Sequence, residues 1–470
     1  MNNRIFVLLI VALLALFIPD FLYSKELVWM CIGMAIFIFW LFISSCETNL
    51  NIKAVFLRPS ILFLIAYLIV FFQRPLDYSL GYSFDYIRLG DYRLMLKSLK
   101  YAIIGLCMFC IGYYIALTKV SQNVSRQIHA RVINTNFYSF LSSVIICMLL
   151  AFVPRQILMG GYSNDMLTNA TIYNYLASWS NMILIAYIVQ FTMNAKQTNS
   201  LAGCSPLEYI KSTGAWQTLN VIIYTIIILN VGDRGPIIIL ALAYYISYII
   251  IAKRYLSRLK LILILIIGIF ISSILGETKK YRDDNTILDR LTAVFNDETS
   301  NVEPKESLIE ATNQLAGSYC CLPIAMQMVP ENDDYTYGKA LLGDVVSSVP
   351  FIGRVLTLPQ SASYRISYYA LGNDFSFGLG TNCIASLYMD GGICMIIVCM
   401  FLFGFILRKF EVCIFSETTS SFFVFCLAFY FLAHVVYIPR STLLSPFKYA
   451  LWMYVIMAIY AKIAPAQTKI

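Results

Sequence analysis

Long apolar stretches separated by short polar punctuation dominate this chain. They follow neither the two-residue period of a half-buried strand nor the narrow stripe of a surface helix. A helix needs about 20 apolar residues to cross a hydrocarbon core. Such spans are predicted at 5–22, 27–46, 59–76, 101–118, 137–154, 172–193, 215–231, 236–252, 259–276, 383–407, 421–438 and 446–464. The third is the weakest, because Gln73 and Arg74 interrupt it. The first runs through Tyr23-Ser24-Lys25 straight into another span, with no small-residue cleavage site. It is therefore expected to remain as a span rather than leave as a signal peptide. The predicted fold class is an all-α polytopic membrane protein of about 12 transmembrane helices: nine in 1–276, a large loop at 277–382 and three in 383–470.

Composition agrees with this and removes several functions. Only 13% of the 470 residues are charged, about half the roughly 25% of a soluble domain. Two histidines, His129 and His434, cannot build a His-rich metal centre. The 13 cysteines lie mostly inside apolar runs, where a free Cys is a small hydrophobe. No metal and no cofactor is expected, and the absence of a G-x-x-x-x-G-K-[ST] loop excludes P-loop nucleotide chemistry. The net charge of +8 comes without a basic cluster interleaved with aromatics, so nucleic acid is not an expected partner. The charge orients the chain instead. With the N-terminus inside, 16 Lys and Arg face the cytoplasm against 10 in the short outer loops, which places both termini in the cytoplasm. The 277–382 segment then falls outside, with 8 Lys or Arg against 14 Asp or Glu.

That loop is neither low-complexity nor a linker. Residues 307–329 have helical periodicity and end at Pro330, 340–349 form a second amphipathic stretch closed by Pro350, and 361–372 are aromatic and Arg-bearing. More than a hundred residues without structure of their own would be unusual, so short helices capping the outer leaflet are expected.

Charged groups within or at the mouth of spans are costly and point to function. Asp233-Arg234 lies in NVGDRGPIII, a turn between the seventh and eighth spans with glycines on both sides. Pro236 suits the first turn of the following helix. An Arg fork there matches phosphate oxygens bidentately; a snorkelling Arg in a tight turn is the plainer alternative. Lys279, Lys280 and Arg282 at the root of the loop offer a second cationic cluster, or an interfacial helix cap. Arg440 and His434 lie near the outer end of the eleventh span, where His434 can act as a base or simply pack. The run 372–392, GNDFSFGLGTNCIASLYMDGG, carries Asp374 and Asp390 among glycines and aromatics, and no strand precedes it, so it is not a dinucleotide loop.

Taken together, G-D-R-G between two spans, G-L-G-x-x-x-x-A-x-L-Y-x-D-x-G leading into the tenth span, and one large loop late in the chain resemble the bacterial oligosaccharide repeat-unit polymerases. These are the O-antigen polymerases of the Wzy type. Asp233 stands where that family often has Ser, and Ser386 where an acid is common. The resemblance implies an inner-membrane, multi-pass glycosyltransferase of GT-C type, related to O-antigen ligases and independent of metal. It would transfer a glycan from undecaprenyl pyrophosphate to another lipid-linked repeat unit on the periplasmic side. It leaves room for a chain-length regulator as a further partner. Arg234 matches the arginine thought to engage the pyrophosphate, with Arg282 and Arg440 as supporting cations. His434 is the expected base, with Asp390 or Asp374 as rivals; Arg365, Tyr364, Tyr368 and Tyr369, with Asp374, are expected at the glycan. An O-antigen ligase would share fold and donor. A lipid-linked oligosaccharide flippase would be a transporter, with repeated halves and short loops.

Overall fold

The structure is a computed structural model that describes residues 2–20, 24–46, 58–82, 91–118, 133–158, 166–253, 307–309, 312–349, 359–373, 378–415 and 421–464. Among the described residues every regular element is helical. Six of these helices are individually long and apolar enough to cross a membrane, and Pro206–Ser212 with Ala215–Val231 form a bent pair that passes the same test together. A helix occupies each predicted span that falls in the described residues; the ninth, 259–276, lies outside them. The chain is a multi-pass membrane protein.

Two compact units divide the chain, and neither is continuous in sequence. The first comprises Met1–Val124, Val302–Val412 and Val435–Lys448. In it, helix Met95–Thr118 packs against Asn2–Leu16 and Lys25–Cys46. Phe42, Phe63, Phe109, Tyr113 and Phe403 form its aromatic centre, with Phe63 and Phe109 centroids 4.6 Å apart. Two glycines let Met95–Thr118 meet Cys383–Phe415 backbone to backbone. A Cβ on Gly112 would stand 2.0 Å from the Phe401 carbonyl oxygen, and one on Gly404 would stand 2.0 Å from that of Phe109. Without a hydrophobic drive between helices in lipid, such close approach is a main source of helix association.

The third span is a full helix, Pro59–Ser79, despite Gln73, Arg74 and the internal Pro75. All three residues are buried, and Gln73 has partners in the loop described below. The tenth span departs from the uninterrupted helix its apolar run predicts. Gly391 and Gly392 break it, and Gly392 takes φ +62°, a left-handed conformation that costs a residue without Cβ little. A short helix ending at Asp390 therefore precedes the long apolar one.

The second unit comprises Ser125–Asn301, Cys413–His434 and Tyr449–Ile470. Helix Met166–Thr198 packs on Asn136–Phe152 and on Gly235–Ala252, which also meets Phe422–His434. Asn220 ties Ala215–Val231 to Asn136–Phe152, donating to the Ser139 carbonyl and the Ser142 hydroxyl, both at 2.8 Å. Polar side chains bond between helices in this way where no water competes.

Candidate functional site

The G-D-R-G turn belongs to the second unit. Helix Ala215–Val231 ends in a Schellman motif: the Asp233 N–H reaches the Ile228 carbonyl at 3.1 Å and the Gly232 N–H the Leu229 carbonyl at 2.9 Å, with Gly232 left-handed at φ +79°. The Asp233 carboxylate then accepts the Gly235 N–H at 3.1 Å, closing an Asx turn. Gly235 is buried and helical, the first residue of Gly235–Ala252. Arg234 is left at the N-cap of that helix, half-buried, where the orphan N–H groups and its own charge share one sign. The turn thus forms a fixed cationic point, and Asp233 serves its backbone.

His434 is also in the second unit, at the end of Phe422–His434. Its Nδ1–H donates to the Tyr430 carbonyl at 2.8 Å, and its ring stacks on Tyr430 with centroids 4.2 Å apart. Because a carbonyl can only accept, this bond leaves Nε2 as the acceptor nitrogen of the neutral ring.

The remaining described candidates lie in the first unit. Asp390, 1% exposed, is held in a cradle made by residues 336–341. The Thr336 hydroxyl donates to Oδ1, as do the N–H groups of Gly338 at 3.0 Å and Ala340 at 3.2 Å, while the Leu341 N–H donates to Oδ2 at 3.0 Å. The carboxylate sits at the N-terminus of helix Lys339–Val346, the end where an anion is favoured. It anchors that helix to the break at Gly391. Beside it opens a cavity of about 290 Å³, whose wall includes Asp344, Ser361, Ser363, Thr381, Ser386 and Thr442.

Helix Ala362–Leu371 continues from this wall, its N-terminus capped by the Ser361 hydroxyl at 3.3 Å from the Tyr364 N–H. Tyr364 and Tyr368 are exposed and stack with centroids 6.1 Å apart. Tyr369, exposed as well, accepts from the Asn332 side chain at 3.1 Å. Arg365 is spent within the protein: it bonds the Asp333 carboxylate at 2.6 Å and the Asp334 carbonyl at 3.1 Å. Burial pushes the Asp333 carboxyl up, but the Arg365 hydrogen bond, the Asp334 N–H and the Arg365 charge together outweigh it and hold the group below its ordinary value.

Arg440 closes the short 3-10 turn Ile438–Arg440, half-buried and without an ion-pair partner among the described residues, within electrostatic reach of Cys321. Arg282 and Asp374 lie outside the described residues. Cys320 and Cys321 are both buried and form no disulfide. No cluster of three or more metal-ligating side chains occurs among the described residues.

One group of residues was not apparent as functional in the sequence. Gln73 and Asp77, on helix Pro59–Ser79, fasten the start of the described loop. Gln73 donates to the Ser307 hydroxyl at 2.9 Å and accepts from Thr312 at 2.6 Å. Asp77, 0% exposed, accepts from the Ser307 hydroxyl at 2.6 Å and the Leu308 N–H at 3.0 Å. These bonds explain why no helix begins at 307. Regular helix starts at Asn313–Ala316, passes through 3-10 geometry at Gly317–Cys320 and resumes at Cys321–Met328. The available signal was the intrusion of Gln73 and Arg74 into an apolar run.

The family model for the O-antigen polysaccharide polymerase Wzy matches residues 4–464. No curated protein and no solved structure matches the chain.

Proposed function

The chain belongs to the O-antigen polysaccharide polymerase Wzy family, and from that premise we propose that it joins undecaprenyl-pyrophosphate-linked repeat units on the periplasmic face of the bacterial inner membrane, with both termini in the cytoplasm. As a member of this family it is a glycosyltransferase-type polymerase. The growing glycan leaves its lipid pyrophosphate and is transferred to the sugar of a second lipid-linked unit. Arg234 engages the pyrophosphate, where negative charge grows as the anomeric C–O bond breaks; a fixed cation there is worth most in the transition state. Arg440 and Arg282 supply further positive charge, so the reaction runs without a metal ion or cofactor. Tyr364 and Tyr368 offer faces on which sugar rings stack, while Arg365 keeps their helix in place.

The observation that carries this reading is the family match along almost the whole chain, joined to an arginine at the N-cap position of a helix in a tight turn. The test is the surface-glycan ladder of a strain lacking the gene. A single repeat unit on the lipid core is the expected result. Unmodified core with polymer retained on the carrier lipid would indicate a ligase, and lipid-linked units confined to the cytoplasmic leaflet a flippase.

A further inference from the structure

The two carboxylates of the 290 Å³ cavity have opposite surroundings. Asp390 spends its oxygens on four donors and holds a helix. Asp344, one turn further along that helix, faces the same cavity, and Thr442 lines the same wall. The wall around it is rich in hydroxyls, from Ser361, Ser363, Thr381 and Ser386. Hydroxyls that donate and accept in turn are what a sugar ring requires, and the volume, close to about 300 Å³ at the small end of ligand sites, suits a single ring. The exposed Tyr364 and Tyr368 lie on the helix whose first turn forms part of this wall, so a glycan seated on them continues towards it.

We propose that this cavity is the subsite for the acceptor sugar and that Asp344 takes the proton from its attacking hydroxyl, an assignment that rests on the polymerase reading above. As the hydroxyl oxygen forms its bond to the anomeric carbon of the donor, the bond from that carbon to the pyrophosphate oxygen breaks and its electron pair leaves with the pyrophosphate. The hydroxyl proton passes to the Asp344 carboxylate. Burial pushes the Asp344 carboxyl up from its ordinary value, Thr442 opposes this, and the charge of Asp390 adds to it. A carboxylate raised in this way is a stronger base.

The sign for stability is opposite to that for activity. A carboxyl raised in the folded state contributes stability below its unfolded pKa and loses it as pH rises through the folded one. Once ionised, Asp344 is therefore a burden, and Asp344→Asn should not lower the melting temperature.

The assay uses the full-length protein in detergent, with lipid-linked repeat units extracted from the deletion strain as both donor and acceptor. Asp344→Asn should lower kcat about 100-fold or more with KM little changed, and Asp344→Glu should recover part of it. The acidic limb of the wild-type kcat profile should fall at a pH above that of an ordinary carboxylate. Ser363→Leu, which narrows the cavity without touching the carboxylate, should raise KM with kcat less affected. Wild-type polymerisation by Asp344→Asn would overturn the assignment, as would activity abolished by chelation and restored by magnesium, since the two carboxylates would then be holding a cation. If the wild type itself makes no polymer from these units, the polymerase reading fails; if only the variants behave like wild type, the subsite alone does.

Discussion

The turn at Arg234 and the cradle around Asp390 fix their charged groups by contrasting means. Everything that shapes the turn lies between Ile228 and Gly235: a left-handed glycine, an Asx turn and a helix start. The cradle joins a carboxylate to N–H groups 49 to 52 residues away, across the loop. The first depends on local geometry and should survive disturbance elsewhere. The second depends on the loop's tertiary fold, so losing either partner unfastens both. The local device presents a cation, and the assembled one builds a cavity.

Substitutions can test that contrast. Arg234→Ala should have the largest functional effect, reducing polymer formation roughly 100-fold or more while leaving thermal stability near wild type. Arg234→Lys should recover only part, since an ammonium lacks the bidentate fork. A drop in melting temperature as large as that of a core variant would remove the distinction. Asp390→Ala should do the reverse, costing about 3 kcal/mol of stability by stranding buried N–H groups, with a protease nick near 336–341 as the readout. Asp77→Ala should cost about 2 kcal/mol for the same reason, and limited proteolysis should open the chain near Ser307. Tyr368→Ala should raise KM several-fold, corresponding to about 1 kcal/mol of stacking, with stability unchanged. The smallest effect belongs to the pair of half-buried Arg365 with exposed Asp333. Its stabilisation is present above the ordinary carboxylate pKa of about 3.9 and lost as pH falls through the lowered value in the folded protein. A wild-type melting curve should show a slightly steeper decline there than Arg365→Gln, by less than about 1 kcal/mol.

What the sequence disclosed follows the same division. Helical spans were readable because burial in lipid demands a continuous apolar run, and the Arg234 turn was readable because its parts are contiguous. The short helices at 339–346 and 362–371 were visible from periodicity and their flanking Pro, Ser and Gly residues. Asp344 went unnoticed because a lone acid in an amphipathic stretch looks like a solvated face until the segments around Ser361, Thr381 and Thr442 are brought to it. The pairing of Arg365 with Asp333, 32 residues earlier, has no local sign in the sequence. The break at Gly391–Gly392 was hidden because two glycines in an apolar run do not reveal which backbone angles they adopt.

The bonds from Gln73 and Asp77 to Ser307, Leu308 and Thr312 have a practical consequence for chimeras. A loop transplanted from another polymerase to change the sugar it accepts would arrive without its moorings, because these lie more than 200 residues upstream, in the third span. The transferable module is the loop together with the last two turns of helix Pro59–Ser79, and exchanges cut at the loop boundaries alone should yield proteins that insert but do not polymerise.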